Sequence, residues 1–580
     1  MKIPLGQYLN LLSRYLAAQK PRVALLFALL ISGVLLQVGN PQIVRAFIDG
    51  ALDGEPQSRL LVLAALFILF AAISQLLAVL ATYLSETVGW TATNALRSDF
   101  AEHLLRLDMS FHKTRTPGEM IQRIDGDVDG LSNFFSQFAL ALCGNLLLLI
   151  GVLFFLFLED WRLGVALGLF ALLALTVLFS LRSFAVSRWI ALREVTAQFY
   201  GFVGEQLAGT EDIRANGARP YSMTRFHEQL RHWLPLSISS GLGFAWLWIA
   251  SLSVFTVGHT VALLASFYLW QQGDLSIGSV YLVFHYTELL RRPIEQIREQ
   301  MQELQSASAS IARVDGLLQI ESKIRDEGRI TLPDGPLAVE FEGVSFGYEP
   351  DDPVLNGVSL SVEPGQFLGL VGRTGSGKTT LGRLLVRLYD IDDGRLTLGG
   401  HPLAELPLSH LRDRVGVVSQ DIQLLEGSVR NNLTFFDESI PDERLVRALD
   451  GLGLGGWLES LPDGLDTELG TNWRLSAGEA QLLAYARVFL RDPGLIVLDE
   501  ATSRLDPATQ RLIEVAVANL LRGRTAIVVA HRLTTLEDAD VIAVMEDGSV
   551  IEAGPRQALL ADQTSRFASL YRRDAEASLT

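Results

Sequence analysis

Two stretches of this chain carry residue types suited to a polyphosphate. Gly372-Arg373-Thr374-Gly375-Ser376-Gly377-Lys378-Thr379 matches G-x(4)-G-K-[ST], and Thr380 follows it. Glycines let consecutive backbone N–H groups converge on phosphate oxygens. The lysine reaches the β- and γ-phosphates, and the Thr379 hydroxyl suits Mg²⁺. Farther on, Leu495-Ile496-Val497-Leu498 runs into Asp499 and Glu500. Carboxylates at the end of an apolar run fit an aspartate that organises Mg²⁺ and a base that polarises an attacking water. A third stretch, Ser476-Ala477-Gly478-Glu479, has capping-box spacing. Ser476 should therefore open a helix whose N-terminus, with Gly478, offers positive partial charge to a phosphate. The chemistry implied is hydrolysis of a nucleoside triphosphate.

These residues need a parallel α/β scaffold. An apolar strand, Phe367–Val371, precedes the glycine loop and a helix over Thr380–Leu388 follows it, as the motif requires. From Ala338 to about residue 555, apolar strands alternate with helical segments, which predicts a P-loop α/β domain over 338–575. Glu321–Pro336 reads as a linker broken by Asp334-Gly335-Pro336, so the linker is placed at 321–337.

The first half has another character. Uncharged apolar runs predict membrane spans at about 23–44, 60–84, 134–158 and 163–182, because about 20 apolar residues cross a bilayer as a helix. A fifth span is expected at 238–268 and a sixth at 275–295, giving an all-α six-helix transmembrane domain over 1–320. Lys2, Arg14, Lys20 and Arg22 flank the first run, and the segments 85–130 and 182–231 are rich in arginine. The positive-inside rule puts these on the cytoplasmic side, together with both termini. Residues 5–16 have the spacing of an amphipathic helix on the inner leaflet. A transit peptide is the rival reading, since no acidic residue precedes Asp49.

Composition narrows the classes. The 580 residues include 48 Lys and Arg against 65 Asp and Glu, a net charge of −17, which lacks the basic footprint of a nucleic-acid binder. The single cysteine, Cys143, excludes an intramolecular disulfide. The expected class is a multidomain membrane protein with a cytoplasmic α/β domain, and its acidic composition favours a bacterial inner membrane.

With these motifs in order, the chain resembles an ATP-binding cassette (ABC) transporter half-subunit of the exporter type. Leu475-Ser476-Ala477-Gly478-Glu479 stands where that family usually has Leu-Ser-Gly-Gly-Gln. The resemblance implies that Tyr348 stacks on adenine, Gln420 links Mg²⁺ to the membrane domain, Asp506 belongs to the D-loop, and His531 is the switch histidine. It makes Glu500, His531, Lys378 and Gln420 the catalytic set and Thr379, Gln420 and Asp499 the metal ligands. ATP would lie between two cassettes, so a second half-transporter is the implied partner. Asp108–Glu119 and Gly209–Gly217 resemble the two coupling helices.

The sequence departs from the family at four places. Ala477 replaces a glycine, Glu479 a glutamine, Thr471 a frequent glutamate, and Arg504 a small residue. With Glu500 and His531 present, this pattern favours a heterodimer over a homodimer. Spans one to four hold no ionisable residue in their cores, so a cavity there would be apolar, with Gln37, Asn40, Gln75 and Asn145 as polar points. That favours a lipid-like or amphipathic drug-like cargo, exported outward. Import of a metal chelate and ATP-gated conduction are the alternatives. His285 and Glu288 share a helical face, and Glu288 is expected to reach inner-face water beside Arg291 and Arg292 rather than form an intramembrane pair.

Overall fold

The computed structural model describes residues 13–133, 143–349, 352–420, 422–470, 475–499, 507–530 and 533–578. Its contacts divide the chain into two units, Met1–Leu105 with Thr116–Ile320, and Arg106–Arg115 with Glu321–Thr580. Most of the amphipathic segment expected at 5–16 lies outside the described residues.

Among the described residues, the main helices of the first unit are α1 (Lys20–Leu52), α2 (Gln57–Arg106), the shorter α3 (Gly144–Glu159), α4 (Trp161–Ala208), α5 (Arg219–Gln271) and α6 (Ile277–Leu318), four of them with segments long and apolar enough to cross a membrane. Helices α2, α4 and α5 run for 50, 48 and 53 residues. At about 1.5 Å per residue each is near 75 Å long, well beyond a hydrocarbon core of about 30 Å. The arginine-rich segments are thus largely continuations of the apolar helices. Hydropathy changes at the membrane surface, but the i to i−4 hydrogen bonding does not.

The apolar core of this unit joins α1, α3, α4, α5 and α6 through Val38, Val152, Leu167, Phe255 and Leu282. Polar contacts fasten its ends. Asp49 of α1 accepts from Ser276 Oγ at 2.7 Å and from the Gly278 N–H at 2.8 Å. A Cβ on Gly278 would lie 2.6 Å from the Arg45 carbonyl, so only glycine permits this approach. Arg45 pairs with Glu159 at 2.5 Å, which ties α1 to α3. Glu288 pairs with Arg291 at 2.7 Å and lies 3.2 Å from His259 Nε2 on α5, whereas His285 stacks on Tyr281.

At the opposite end, a π-helical turn over Arg123–Asp127 buries Asp127. Its carboxylate accepts from Arg313 at 2.5 and 3.0 Å, Ser310 at 3.0 Å and Arg123 at 3.1 Å.

The second unit holds two larger sheets and a small antiparallel pair, β7 (Gly427–Ser428) with β8 (Glu468–Leu469). An antiparallel sheet has the order β2-β1-β4-β5, from β1 (Val339–Glu349), β2 (Asp352–Val362), β4 (Asp393–Leu398) and β5 (His401–Pro402). The other has the order β12-β11-β3-β10-β9-β6. Its members are β3 (Phe367–Gly372), β6 (Val415–Val418), β9 (Leu495–Asp499), β10 (Thr525–Val529), β11 (Val541–Glu546) and β12 (Ser549–Pro555). All pair in parallel except β12. The parallel architecture read from the sequence describes this sheet, while β1, β2, β4 and β5 form the antiparallel one. Burial explains the difference. Strands β9 and β10 are buried at every position, whereas β1 alternates, with one face toward the core.

Burial alone would raise the Asp127 carboxyl, but the hydrogen bonds from Arg313, Ser310 and Arg123 outweigh it and hold the pKa below the usual carboxylate range. Stabilisation from a lowered carboxyl is present above the unfolded-state value of about 3.9 and is lost as pH falls through the folded value. Asp127→Ala should therefore cost about 1–3 kcal/mol near neutral pH. Thermal unfolding of the purified protein should show that deficit, and the gap to wild type should narrow below about pH 4.

Candidate nucleotide site

The glycine loop follows β3 and opens α7 (Lys378–Leu385). In parallel α/β sheets ligands sit beyond the carboxyl ends of the strands, and the registers bring three such ends together. Val529 of β10 pairs with Leu370 of β3 on one side and with Asp499 of β9 on the other. Strand β6 ends beside β9, which puts the exposed Gln420 just past the same edge. Glu500, Asp506 and His531 lie outside the described residues. In the sequence, Glu500 directly follows Asp499 and His531 follows Val529 by two residues.

Backbone strain marks the loop. Gly375 and Gly377 have φ of 86° and 95°, the left-handed region that favours glycine. A Cβ on Gly377 would meet Leu355 at 2.5 Å, but one on Gly375 would meet nothing within 4 Å. The loop is thus pressed against β2 at Gly377 and open at Gly375, as a cradle for phosphate requires. Lys378 is buried, and its ammonium donates to the carbonyls of Gly372 and Arg373 at 2.8 Å each. Burial pushes its pKa down while the charge of Asp499 pushes it back up. Asp499 is buried too, and its Oδ1 has no hydrogen-bond partner among the described residues. An orphaned carboxylate oxygen costs free energy unless a cation or donor meets it. This donor set fits Mg²⁺ beside Thr379, the first residue after the lysine.

Tyr348 ends β1 beside this helix. Its hydroxyl accepts from Arg383 at 2.9 Å and lies 3.2 Å from Thr380 Oγ1. The helix Met109–Lys113 belongs to the same unit, and Lys113 Nζ lies 4.1 Å from the Tyr348 ring centre. Asp108 caps that helix and accepts from the Lys323 N–H at 2.6 Å. Neither Lys113 nor Arg383 carries a local sequence signal for this role, because their common partner is distant in the chain.

Ser476 caps α8 (Ala477–Arg491), and the capping box read from the sequence is present. The Ser476 N–H donates to Glu479 Oε2 at 2.8 Å, and the Glu479 N–H donates to Ser476 Oγ at 3.3 Å. Glu479 Oε1 accepts from the Trp457 indole at 3.3 Å. Both carboxylate oxygens are therefore engaged beside the helix end, while Ala477 stays exposed and Gly478 is buried. A carboxylate at this helix end would oppose a phosphate, and that repulsion is reduced because Glu479 is held by two donors.

The comparisons agree with this arrangement. A family model described as ABC transporter transmembrane region matches residues 23–294, and one described as ABC transporter matches 355–503. An ATP-dependent lipid A-core flippase of Alcanivorax borkumensis is 32% identical over 84% of this chain and 84% of its own length. A multidrug resistance ABC transporter ATP-binding and permease protein of Lactococcus lactis is 27% identical over 94% and 93%. A fatty acid ABC transporter ATP-binding/permease protein of Mycobacterium bovis is 31% identical over 86% and 79%. A bacterial Atm1-family ABC exporter solved with ATP bound superposes with a TM-score of 0.81 at 26% identity, over 96% of this chain and 99% of that one.

Glu479→Gln keeps an acceptor in the capping box and removes the charge, so ATP turnover should change by less than about threefold. Trp457→Phe should slow turnover more in the wild-type background than in one that already carries Glu479→Gln. Steady-state ATPase rates of the two single variants and the double variant should give a coupling of about 0.5–1 kcal/mol. A helical membrane unit is fused to a cassette with a left-handed glycine loop, a buried lysine–aspartate corner and a capped signature helix, and with both family matches the chain belongs to the ABC transporters as an exporter-type half-subunit.

Proposed function

We propose that this chain, with a second cassette-bearing half-transporter, uses ATP to export a hydrophobic or amphipathic molecule across a bacterial inner membrane. The observation that carries the reading is the meeting of Lys378, Asp499 and the open Gly375 loop at one sheet edge, in a chain that also holds, among the described residues, four helices long and apolar enough to cross a membrane. The division proposed is a membrane domain over 1–320, a linker over 321–337 and a nucleotide-binding domain over 338–575, with both termini cytoplasmic.

Lys378 and the loop N–H groups hold the β- and γ-phosphates, and Tyr348 stacks on adenine. Thr379, Gln420 and Asp499 hold Mg²⁺, which would neutralise charge on the phosphates. Glu500 orients and polarises the attacking water, and His531 contacts the γ-phosphate. Ser476 and Gly478, at the start of α8, close over nucleotide held by the partner cassette, with Asp506 at the same junction. Closure shifts the membrane domains between inward- and outward-facing populations, and hydrolysis resets them. The segments 108–119 and 209–217 transmit that movement. Short helices at Met109–Lys113 and Thr210–Ala215 support this assignment.

Export of a lipid-like or drug-like cargo is supported by relatives named for lipid A-core, fatty acids and multidrug resistance. Ala477, Arg504 and Thr471 favour a partner of different sequence, whereas the pinned Glu479 removes one ground for a degenerate site. Affinity purification of the tagged chain from its native host decides this. A second half-transporter should co-purify, and recovery of this chain alone with two equally active sites overturns the heterodimer.

Glu500→Gln should retain ATP and lose most turnover, on the order of 10²-fold or more. An unchanged hydrolysis rate in that variant removes the catalytic assignment. ATP-dependent accumulation of cargo in inside-out vesicles supports export. Accumulation in the opposite sense supports chelate import, and conductance without accumulation supports a channel.

A further inference from the structure

A cavity of about 400 Å³ opens between α1, α2, α3 and α6 of the membrane unit. Leu30 and Leu77 are among its apolar walls, and Gln37, Asn145 and Gln296 bring amide groups to it from three different helices. Among the described residues the lining contains one charged side chain, Glu86. Glu86 is half-buried and has no ion-pair partner among the described residues. Asn40, one turn beyond Gln37 on α1 and outside the lining, buries an Oδ1 that has no partner among the described residues. Among the described residues the lining thus carries a single negative charge and no cation, with three amide side chains that can each donate and accept.

The position of these groups gives the cavity a direction. Glu86 follows the uncharged run that ends at 84, and Gln296 follows the proposed sixth span ending at 295, so both sit at its cytoplasmic boundary. Leu30, Leu77 and Gln37 lie deeper along their helices. We propose that this cavity binds a cationic amphiphile, an alkyl chain bearing an ammonium or similar donor group, with its head at Glu86 and its tail among the leucines. The proposal rests on the export reading and deepens it by fixing the sign of the cargo's charge. An uncompensated carboxylate in a partly apolar wall attracts a cation and repels an anion. A fatty acid, the cargo named for one relative, would bring a second carboxylate toward Glu86.

Nothing in the spans signals this by itself, since the cores of the first four carry no ionisable residue. The charge lies just past one apolar run and reaches the cavity only because α2 and α6 pack around the same space as α1 and α3.

The test uses the purified full chain, with any partner that co-purifies, in phosphatidylcholine nanodiscs. Radiolabelled dodecylammonium, dodecanol and dodecanoate are bound at equilibrium, and binding to empty discs is subtracted. Wild type should bind dodecylammonium at least about tenfold more tightly than dodecanol, with dodecanoate weakest. Glu86→Gln should abolish that preference, and Glu86→Asp should retain part of it. Both variants should elute as monodisperse complexes and unfold within about 3 °C of wild type, which shows that they fold. Equal affinity of wild type for ammonium and alcohol, tightest binding of dodecanoate, or an ammonium preference that survives Glu86→Gln overturns the proposal. Absence of ATP hydrolysis in wild type with the ammonium preference intact would instead count against the transport reading alone.

Discussion

A buried lysine beside a buried aspartate, at the carboxyl edge of a parallel sheet, is the constraint that organises the nucleotide-binding unit. Lys378 loses solvation and is held by two loop carbonyls and the charge of Asp499. For its ammonium to lie over those carbonyls, the loop must turn back on itself, which requires left-handed backbone at Gly375 and Gly377. For Asp499 to be near, β9 and β3 must flank the same strand, β10, in parallel register. The fully buried apolar runs of β9 and β10 secure that register, because both faces of the sheet are covered.

The membrane unit is held in a different way. Its middle is apolar and specified weakly by side-chain chemistry, while specific polar contacts gather at the helix ends. Asp49 with Ser276 and Gly278, Arg45 with Glu159, and Asp127 with Arg313 each join helices that are distant in sequence. Removing one partner of such a group leaves a desolvated charge behind, so these clamps set which helices meet more than they add to net stability. The cavity with Glu86 is an exception inside this pattern, a charge placed beside apolar walls without a described counter-ion.

The signature helix shows how a departure from a family motif can be absorbed. Glutamate in place of the usual glutamine would put negative charge at a helix N-terminus intended for phosphate. Here one oxygen of Glu479 meets the Ser476 N–H and the other meets the Trp457 indole. Charge at the first turn of a helix is itself stabilising through the helix dipole. The substitution therefore supports the local fold while each carboxylate oxygen already holds a donor beside the helix.

Much of this was legible in the chain. The glycine loop, the Ser476–Glu479 box and the apolar runs depend on backbone conformation and spacing within one or two helical turns, and such short-range terms are written directly in residue order. Glu288 beside Arg291, three residues apart on one helix, was legible for the same reason. Tertiary structure alone decided the rest. Trp457 meets Glu479 across 22 residues, and Arg313 meets Asp127 across 186. The separation of β1, β2, β4 and β5 into their own antiparallel sheet, and the sign of the charge in the membrane cavity, were decided the same way. These depend on which surfaces pack together, and hydrophobic periodicity states that a face must be buried without naming the face that buries it.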